Sequence, residues 1–139
     1  MNAALYPARI WMEDGVYYVQ FLDLENGFTF GNTSEEAQDM AADVLSALLA
    51  SCIEHGEPIP EPSGRKGKDI CLIAPDAKVQ AALLLRTARA SRSQGEVAQA
   101  MGTTWQAYQK IEQPDANTTL SKLQKAAKVL GKRLVIELR

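Results

Sequence analysis

The chain has 139 residues, of which 46% are hydrophobic and 23% are charged, so it can form one ordinary globular domain or two small ones. No apolar run reaches about eighteen residues, which excludes a membrane-spanning helix, and the first residues lack a secretory signal, which predicts a cytoplasmic protein. The formal net charge of −2 hides an asymmetry, because residues 1–63 carry one basic and eleven acidic side chains whereas residues 76–139 carry eleven basic and five acidic ones. The basic half suits a polyanion, and the acidic half suits a basic partner or a solvated surface.

Three strands are predicted near the start of the chain. Residues 8–13 alternate apolar and polar side chains, and Asp14-Gly15 supplies a hairpin turn. Residues 16–22 are rich in aromatic and β-branched side chains and predict the return strand. A third short strand is expected at residues 28–30.

A long helix and a fourth strand follow. Thr33-Ser34-Glu35-Glu36 has the spacing of a capping box, and apolar residues then recur every three or four positions until Gly56. Residues 57–68 are rich in proline and glycine, which indicates a connection. The apolar run at residues 70–74 predicts a strand that returns to the first sheet.

The second half is predicted to be helical. Pro75-Asp76 begins a helix that runs to about residue 90, and further helices are expected at residues 94–101, 104–113 and 120–130. The chain then alternates Leu134, Ile136 and Leu138 with other residues, which predicts a strand. Because no partner strand is evident in this half, we expect the strand that contains these three residues to be exchanged between two copies, which would form a dimer.

Residues 94–112 have the spacing of a helix-turn-helix. Gly102 permits the positive φ of the turn, while Tyr108 and Ile111 point inward from the second helix. Polar residues on the other side suit base edges and phosphates, and a tryptophan there could pack on a sugar or in the core. A helical dimerisation module without DNA contact is the competing interpretation, which the basic charge disfavours. The predicted DNA-binding residues are Gln94, Thr104, Trp105, Gln106, Gln109 and Lys110.

The segment Gly56-Glu57-Pro58-Ile59-Pro60-Glu61-Pro62-Ser63 follows the long helix, and a strand-rich half precedes a helical half. By this segment and this order of the two halves, which are its most specific features, the first half resembles the HicB family of antitoxins. The resemblance continues through the second half, where longer members have a phage-repressor-like helix-turn-helix and a short strand. Residues 22–26 depart from the family's usual Pro-Asp-Leu-Pro-Gly. Other matching residues are Tyr6-Pro7, Glu13-Asp14-Gly15, Tyr18-Val19, Phe21, Asp23-Leu24, Phe28-Thr29, Gly31, Thr33 and Glu35-Glu36-Ala37.

The resemblance implies an α+β fold of two domains. Residues 1–74 would form a β-β-β-α-β partial ribonuclease-H-like domain that binds a HicA-type, messenger-RNA-cleaving toxin. Residues 75–139 would form an all-α helix-turn-helix domain with a C-terminal dimerisation strand, which binds operator double-stranded DNA and represses the chain's own operon. The homodimer expected from the C-terminal strand could pair further into a tetramer, and neither a cofactor nor a metal is expected.

The aromatic residues of the strands have two interpretations. Trp11, Tyr17, Tyr18 and Phe30 could be core, which we favour for each, or could lie on an open sheet face that anchors a protein partner. The residues assigned to toxin binding are Trp11, Asp14, Tyr18, Asp23, Glu25 and Phe30.

An enzyme is disfavoured on chemical grounds. A two-metal nuclease needs carboxylates that converge around ions about 4 Å apart, whereas Asp14 lies at a hairpin turn and Asp23 lies beyond the next strand. Cys52 and Cys71 lack the paired spacing of a zinc site, and His55 has no nucleophile in a recognisable relation to it. The remaining rival is a stand-alone transcription regulator whose first domain senses a small ligand.

Overall fold

The computed structural model describes residues 4–139. They form a four-stranded antiparallel sheet with one long helix, followed by a helical region, so the predicted α+β class is confirmed. The chain divides into two compact units, with the division between Gln80 and Ala81. Every helix in the described part of the chain is too short or too polar to cross a bilayer.

The sheet of the first unit has the strand order β3-β2-β1-β4. Strands β1 (Tyr6–Glu13) and β2 (Val16–Phe21) form a hairpin, and β3 (Phe28–Gly31) and β4 (Ile70–Ile73) add at the two edges. The turn residues Asp14-Gly15 have φ values of 51° and 77°, as a two-residue type I′ turn requires. The predicted strands and their hairpin are therefore confirmed.

Helix α1 (Ser34–His55) covers one face of this sheet. It begins at Thr33, whose side-chain oxygen accepts a hydrogen bond from the Glu36 N–H, and it ends at Gly56 with a φ of 64°. The cap and the left-handed glycine are those that the sequence predicts. Its inward stripe is at most 5% exposed and consists of Ala37, Ala41, Leu45, Leu49 and Ile53.

Gly31 allows β3 and α1 to approach closely. A Cβ atom at this position would lie 2.6 Å from the backbone nitrogen of Ala37. No side chain fits in that space, so the position needs glycine for contact rather than for a turn.

The connection from α1 to β4, residues 57–69, contains neither helix nor strand. It is held at two points. The Tyr6 hydroxyl donates a hydrogen bond of 2.6 Å to the Pro60 carbonyl, and the Ser63 N–H donates one of 2.9 Å to the Asp23 carboxylate. The proline-rich segment thus has a defined path along the first unit.

The second unit contains helices α3 (Gln94–Met101), α4 (Trp105–Ile111) and α5 (Leu120–Val129). Helix α2 (Ala77–Arg89) spans the division between the units, and only its second part belongs here. Each helix lies within a few residues of its predicted position. The buried core of this unit consists of Leu85, Val97, Ala98, Met101, Tyr108, Ile111, Ala126 and Leu130.

The C-terminal residues 132–139 form no strand in the single chain that the structure describes. A strand needs a ladder partner, and the described residues of this unit contain no sheet. Val135 is 77% exposed, Ile136 is 64% exposed and Leu138 is 96% exposed. Strand exchange through this segment stays a prediction.

Candidate functional sites

Helices α3 and α4 form a helix-turn-helix in which each helix begins at a hydroxyl cap. The Ser93 hydroxyl accepts a hydrogen bond of 3.0 Å from the Glu96 N–H, and the Thr104 hydroxyl accepts one of 3.1 Å from the Ala107 N–H. Between them, Gly102 ends α3 with a φ of 72°. These local bonds fix where each helix begins, and the predicted turn glycine is confirmed.

A fully buried carboxylate anchors the end of α4. Glu112 is 0% exposed, and Arg89 on α2 donates two hydrogen bonds to it, of 2.7 and 2.9 Å. Gln94 on α3 donates a third from its side-chain amide, of 3.1 Å. Arg86 adds a bond of 3.3 Å to the Glu112 carbonyl. The residue that follows α4 is therefore bonded to both preceding helices, which holds α4 in one orientation.

The ionisation of this cluster follows from its burial and its pairing. Burial raises the pKa of Glu112, but the hydrogen bonds from Arg89 and Gln94, with the adjacent Tyr108 hydroxyl, outweigh burial and bring the pKa below its usual value. The hydrogen bond to Glu112 raises the pKa of Arg89. Burial, and next the neighbouring Glu112, raises the pKa of Tyr108. The Tyr108 hydroxyl lies near the carboxylate without the geometry of a hydrogen bond to any described residue. Arg89 and Glu112 are thus both ionised at neutral pH.

Five of the six residues that were predicted to bind DNA lie on the outward side of α4 or at its N-cap. Trp105 is 48% exposed, so its core interpretation is wrong. Gln106 and Lys110 are exposed, Gln109 is half-buried, and Thr104 keeps its hydroxyl hydrogen available while its oxygen caps the helix. Together these residues form one polar surface, which we call the recognition face: Thr104, Trp105, Gln106, Gln109 and Lys110.

Gln94 stands apart from the recognition face. Its side-chain amide is turned toward Glu112, so it positions α3 against α4, and a second role in phosphate binding stays a prediction. The sequence analysis assigned no role to Glu112, the last residue of the helix-turn-helix segment 94–112. The available signal was an acidic residue at the end of a short predicted helix, with Arg86 and Arg89 three residues apart upstream.

The sheet face opposite α1 carries four aromatic rings in mutual contact. Trp11 stacks on Tyr18 with ring centroids 5.7 Å apart, and Tyr18 stacks on Phe28 at 6.0 Å. Phe30 lies 6.3 Å from Tyr18 and is 59% exposed. The strand register explains the cluster, because Trp11 pairs with Tyr18 and Tyr18 pairs with Phe30 across neighbouring strands. We call this surface the aromatic face: Trp11, Tyr18, Phe28 and Phe30.

The core interpretation is wrong for Phe30, and Trp11 and Tyr18 are only half-buried. Tyr17, the neighbour of Tyr18, points to the α1 side, since alternate residues of a strand face opposite ways. Sequence reasoning missed Phe28 as a member of this surface. Its alternation with Phe30 across Thr29 was the signal that could have identified it.

The acidic residues assigned to toxin binding are not gathered at one point. Asp14 is exposed at the β1–β2 turn and Glu25 is exposed in the loop before β3. Asp23 accepts the hydrogen bond from Ser63, so it holds the proline-rich segment. Burial, and next the charge of Asp23, raises the pKa of Tyr6 to about 12. Within residues 4–139, no three acidic, histidine or cysteine side chains converge as metal ligands.

Comparison with known proteins relates both units to characterised sequences. The family model described as HicB-like antitoxin of bacterial toxin-antitoxin system matches residues 5–81, and a helix-turn-helix model matches residues 85–136. Antitoxin HicB 2 of Photorhabdus laumondii is 30% identical over 129 residues, which cover 93% of this chain and 92% of that protein. Antitoxin HicB of Escherichia coli is 32% identical over 131 residues, which cover 93% and 95%. Antitoxin HicB 1 of Photorhabdus laumondii is 29% identical over 134 residues, which cover 96% and 86%.

Proposed function

The chain belongs to the HicB-like family of bacterial antitoxins and carries a helix-turn-helix DNA-binding domain, and from this premise we propose that it neutralises a HicA-type, messenger-RNA-cleaving toxin and represses its own operon. Toxin binding is assigned to the domain of residues 1–74, and DNA binding and dimerisation to residues 75–139. The observation that carries the toxin-binding half is the aromatic face, an uncovered apolar surface on an acidic domain.

The aromatic face has the chemistry of a protein-binding surface. Tryptophan and tyrosine are enriched among residues that dominate binding energy, because they bury a large area with few rotatable bonds. Around them, residues 1–63 carry a net charge of −10, from eleven acidic side chains and one basic one. A basic, RNA-binding toxin would be attracted by this charge and then held by the rings. Asp14, Asp23 and Glu25 are assigned to the charged surroundings of this contact.

The test is co-purification. The chain is expressed together with the product of the neighbouring gene, and only the neighbour carries an affinity tag. We expect a stable complex without RNA cleavage, and cleavage that returns when the chain is stripped away with denaturant and the neighbour is refolded. If the neighbour binds nothing and cleaves no RNA, the toxin-binding half of the proposal fails while the DNA-binding half stands.

The recognition face supports operator binding. Glutamine amides can pair with adenine edges, and threonine can contact a thymine methyl, so Gln106, Gln109 and Thr104 are suited to the major groove. Lys110 and Gln94 are assigned to phosphates, and Trp105 to the sugar backbone. Residues 76–139 carry a net charge of +6, from eleven basic and five acidic side chains, which favours a polyanion.

A dimer is proposed to present two recognition faces to one operator. The C-terminal tail, in which Ile136 and Leu138 are exposed and Leu134 is half-buried, would pair with the same segment of a second copy and so gain the ladder that it lacks alone. Two recognition helices would then enter successive major grooves, about 34 Å apart, on an inverted repeat. Sedimentation of the full chain tests this, since Ile136→Asp should yield monomers and weaken binding to a promoter fragment.

The proposed action is binding rather than catalysis. The relatives that the chain matches are named as antitoxins, and the described carboxylates do not form a metal site. Incubation of the chain alone with RNA and magnesium tests this statement. Cleavage that persists through repeated purification would show an activity of the chain itself.

A further inference from the structure

A cleft of about 240 Å³ lies beside α4. It is lined by Thr103 in the turn and Ala107 on α4, and by Lys122 and Lys125 on α5. Three core residues, Met101, Tyr108 and Ile111, also line it. The packing of α5 therefore brings two cations next to α4, although they lie far from it in sequence.

These two lysines are available for an external anion. Both are exposed, and the ion pairs within the described part of the chain involve other residues. Their position three residues apart sets them on one side of α5. Unpaired lysines that flank a groove-binding helix are suited to phosphate, because each contact releases a condensed counterion from the DNA.

We propose that Lys122 and Lys125 bind backbone phosphates of the same DNA that the recognition face reads, so that the interface extends from α4 to α5. A helix in the major groove, which is about 12 Å wide, has phosphates along both sides. Ala107 lines the cleft, and Lys110 of the recognition face lies three residues further along α4 on the same side of the helix, which makes the two surfaces continuous. The inference rests on the proposed DNA binding and adds two residues to it.

Lys128 on the same helix provides the internal comparison. It lies about 60° around the helix axis from Lys125 and about 120° from Lys122, and it does not line the cleft. Lys132 follows α5 and is also exposed. Neutralising Lys128 and Lys132 removes the same charge as neutralising the two cleft lysines, so the long-range field of the protein changes equally in both cases.

The experiment compares two double variants of the full chain, Lys122→Gln/Lys125→Gln and Lys128→Gln/Lys132→Gln. The equilibrium constant for binding to a duplex of the chain's own promoter is measured at salt concentrations from about 50 to about 200 mM, where log K falls linearly with log salt. We expect the slope of log K against log salt to fall by about 1.8 per chain in the cleft variant, or about 0.9 for each lost phosphate contact. The control variant should lose less than half of that.

Four further results bear on the outcome. Lys122→Arg/Lys125→Arg should keep the slope of the unmodified chain, since arginine also binds phosphate. Equal slopes in the two glutamine variants would overturn the inference and leave the proposed DNA binding intact. A change of self-association confined to the cleft variant, measured by sedimentation, would also overturn it and assign the cleft to the dimer. Failure of the unmodified chain to bind the duplex would remove the proposed DNA binding itself.

Discussion

Arg89 and Glu112 form a bidentate pair in which the guanidinium donates hydrogen bonds of 2.7 and 2.9 Å to a carboxylate that is 0% exposed. The pair joins α2 to the residue that follows α4. An ion pair of this kind costs desolvation to form, so it stabilises little relative to an apolar pair, but its members depend on one another strongly. It therefore restrains the position of α4.

Removal of Arg89 should destabilise the second unit strongly. We expect Arg89→Met to cost about 3 kcal/mol, because Glu112 would remain buried with only the more distant Arg86, 4.0 Å away, as a counter-charge. Chemical denaturation of a Trp11→Phe background measures this, since the fluorescence of Trp105 then reports on the second unit. Arg133→Met is the control, an exposed arginine whose loss should cost at most about 0.5 kcal/mol. Similar midpoints for the two variants would show that the pair is not a restraint.

Acid should remove the contribution of Glu112. Because its pKa in the folded chain lies below the ordinary value of 4.5, ionised Glu112 stabilises the fold above that pH, and this stabilisation is lost as the pH falls through the folded pKa. Glu112→Gln should therefore be less stable than the unmodified chain at pH 7, and the difference in unfolding free energy should shrink at pH values below 4.5. A difference that stays constant during acidification would contradict this assignment.

Gly31→Ala should disturb the packing of α1 on the sheet. The new Cβ would lie 2.6 Å from the Ala37 backbone nitrogen, and relief of such overlap typically costs about 1–3 kcal/mol. A matched control is Gly95→Ala on α3, where the new Cβ would meet only the Ser93 hydroxyl at 3.8 Å and the helix would gain up to about 1 kcal/mol. Differential scanning calorimetry should show a lower melting temperature for the first variant and an unchanged or higher one for the second. Equal shifts of the melting temperature in the two variants would mean that α1 can move to accommodate the new Cβ atom.

Phe30→Ala should separate toxin binding from stability. The ring is 59% exposed, so its loss should change the melting temperature little, whereas truncation of a central interface residue typically costs about 2 kcal/mol of binding, or about thirtyfold in Kd. Met40→Ala is the control, since Met40 is 43% exposed and lies on α1, away from the aromatic face. Calorimetric titration with the co-purified neighbour provides the measurement. If both variants lost the same affinity for the neighbour, the aromatic face would not be the toxin-binding surface.

Gln106 and Lys110 should affect DNA binding in different ways. We expect Gln106→Ala to reduce the preference for operator over unrelated duplex by about 1–3 kcal/mol, because a base-edge contact is lost. Lys110→Ala should weaken both duplexes similarly and lower the salt slope by about 0.9 per chain. Titrations of both duplexes at several salt concentrations distinguish these results. If the two substitutions had the same effect, the division of the recognition face into base and phosphate contacts would be wrong.

Local features of this chain were predictable, and features that join distant segments were not. The caps at Thr33 and Gly56 and the glycine of the turn at Gly102 are determined by neighbouring residues, so the sequence alone identifies them. The bond between Arg89 and Glu112 joins two residues that are 23 positions apart in the sequence, and no periodicity connects them. Long-range polar pairs of this kind emerge only after the helices have packed.

The covered face of the sheet was also not predictable from the sequence. Alternation places Tyr17 and Tyr18 on opposite faces of the strand, but it does not reveal which face a helix will cover. Because α1 covers only one side, Phe28 and Phe30 remain at the surface despite their apolar character. The C-terminal segment is a similar case, since its pattern is that of a strand while its ladder partner is absent from a single chain.

The two sides of α4 have consequences for divergence between gene copies. Tyr108, Ile111 and Glu112 are buried in the second unit, whereas Gln106 and Lys110 are exposed. Under the proposed function, substitutions at the outward positions would change the preferred operator without an effect on folding. A genome that acquires a second copy would then separate the two proposed regulatory circuits by a few such changes, while the inward residues remain under selection for stability.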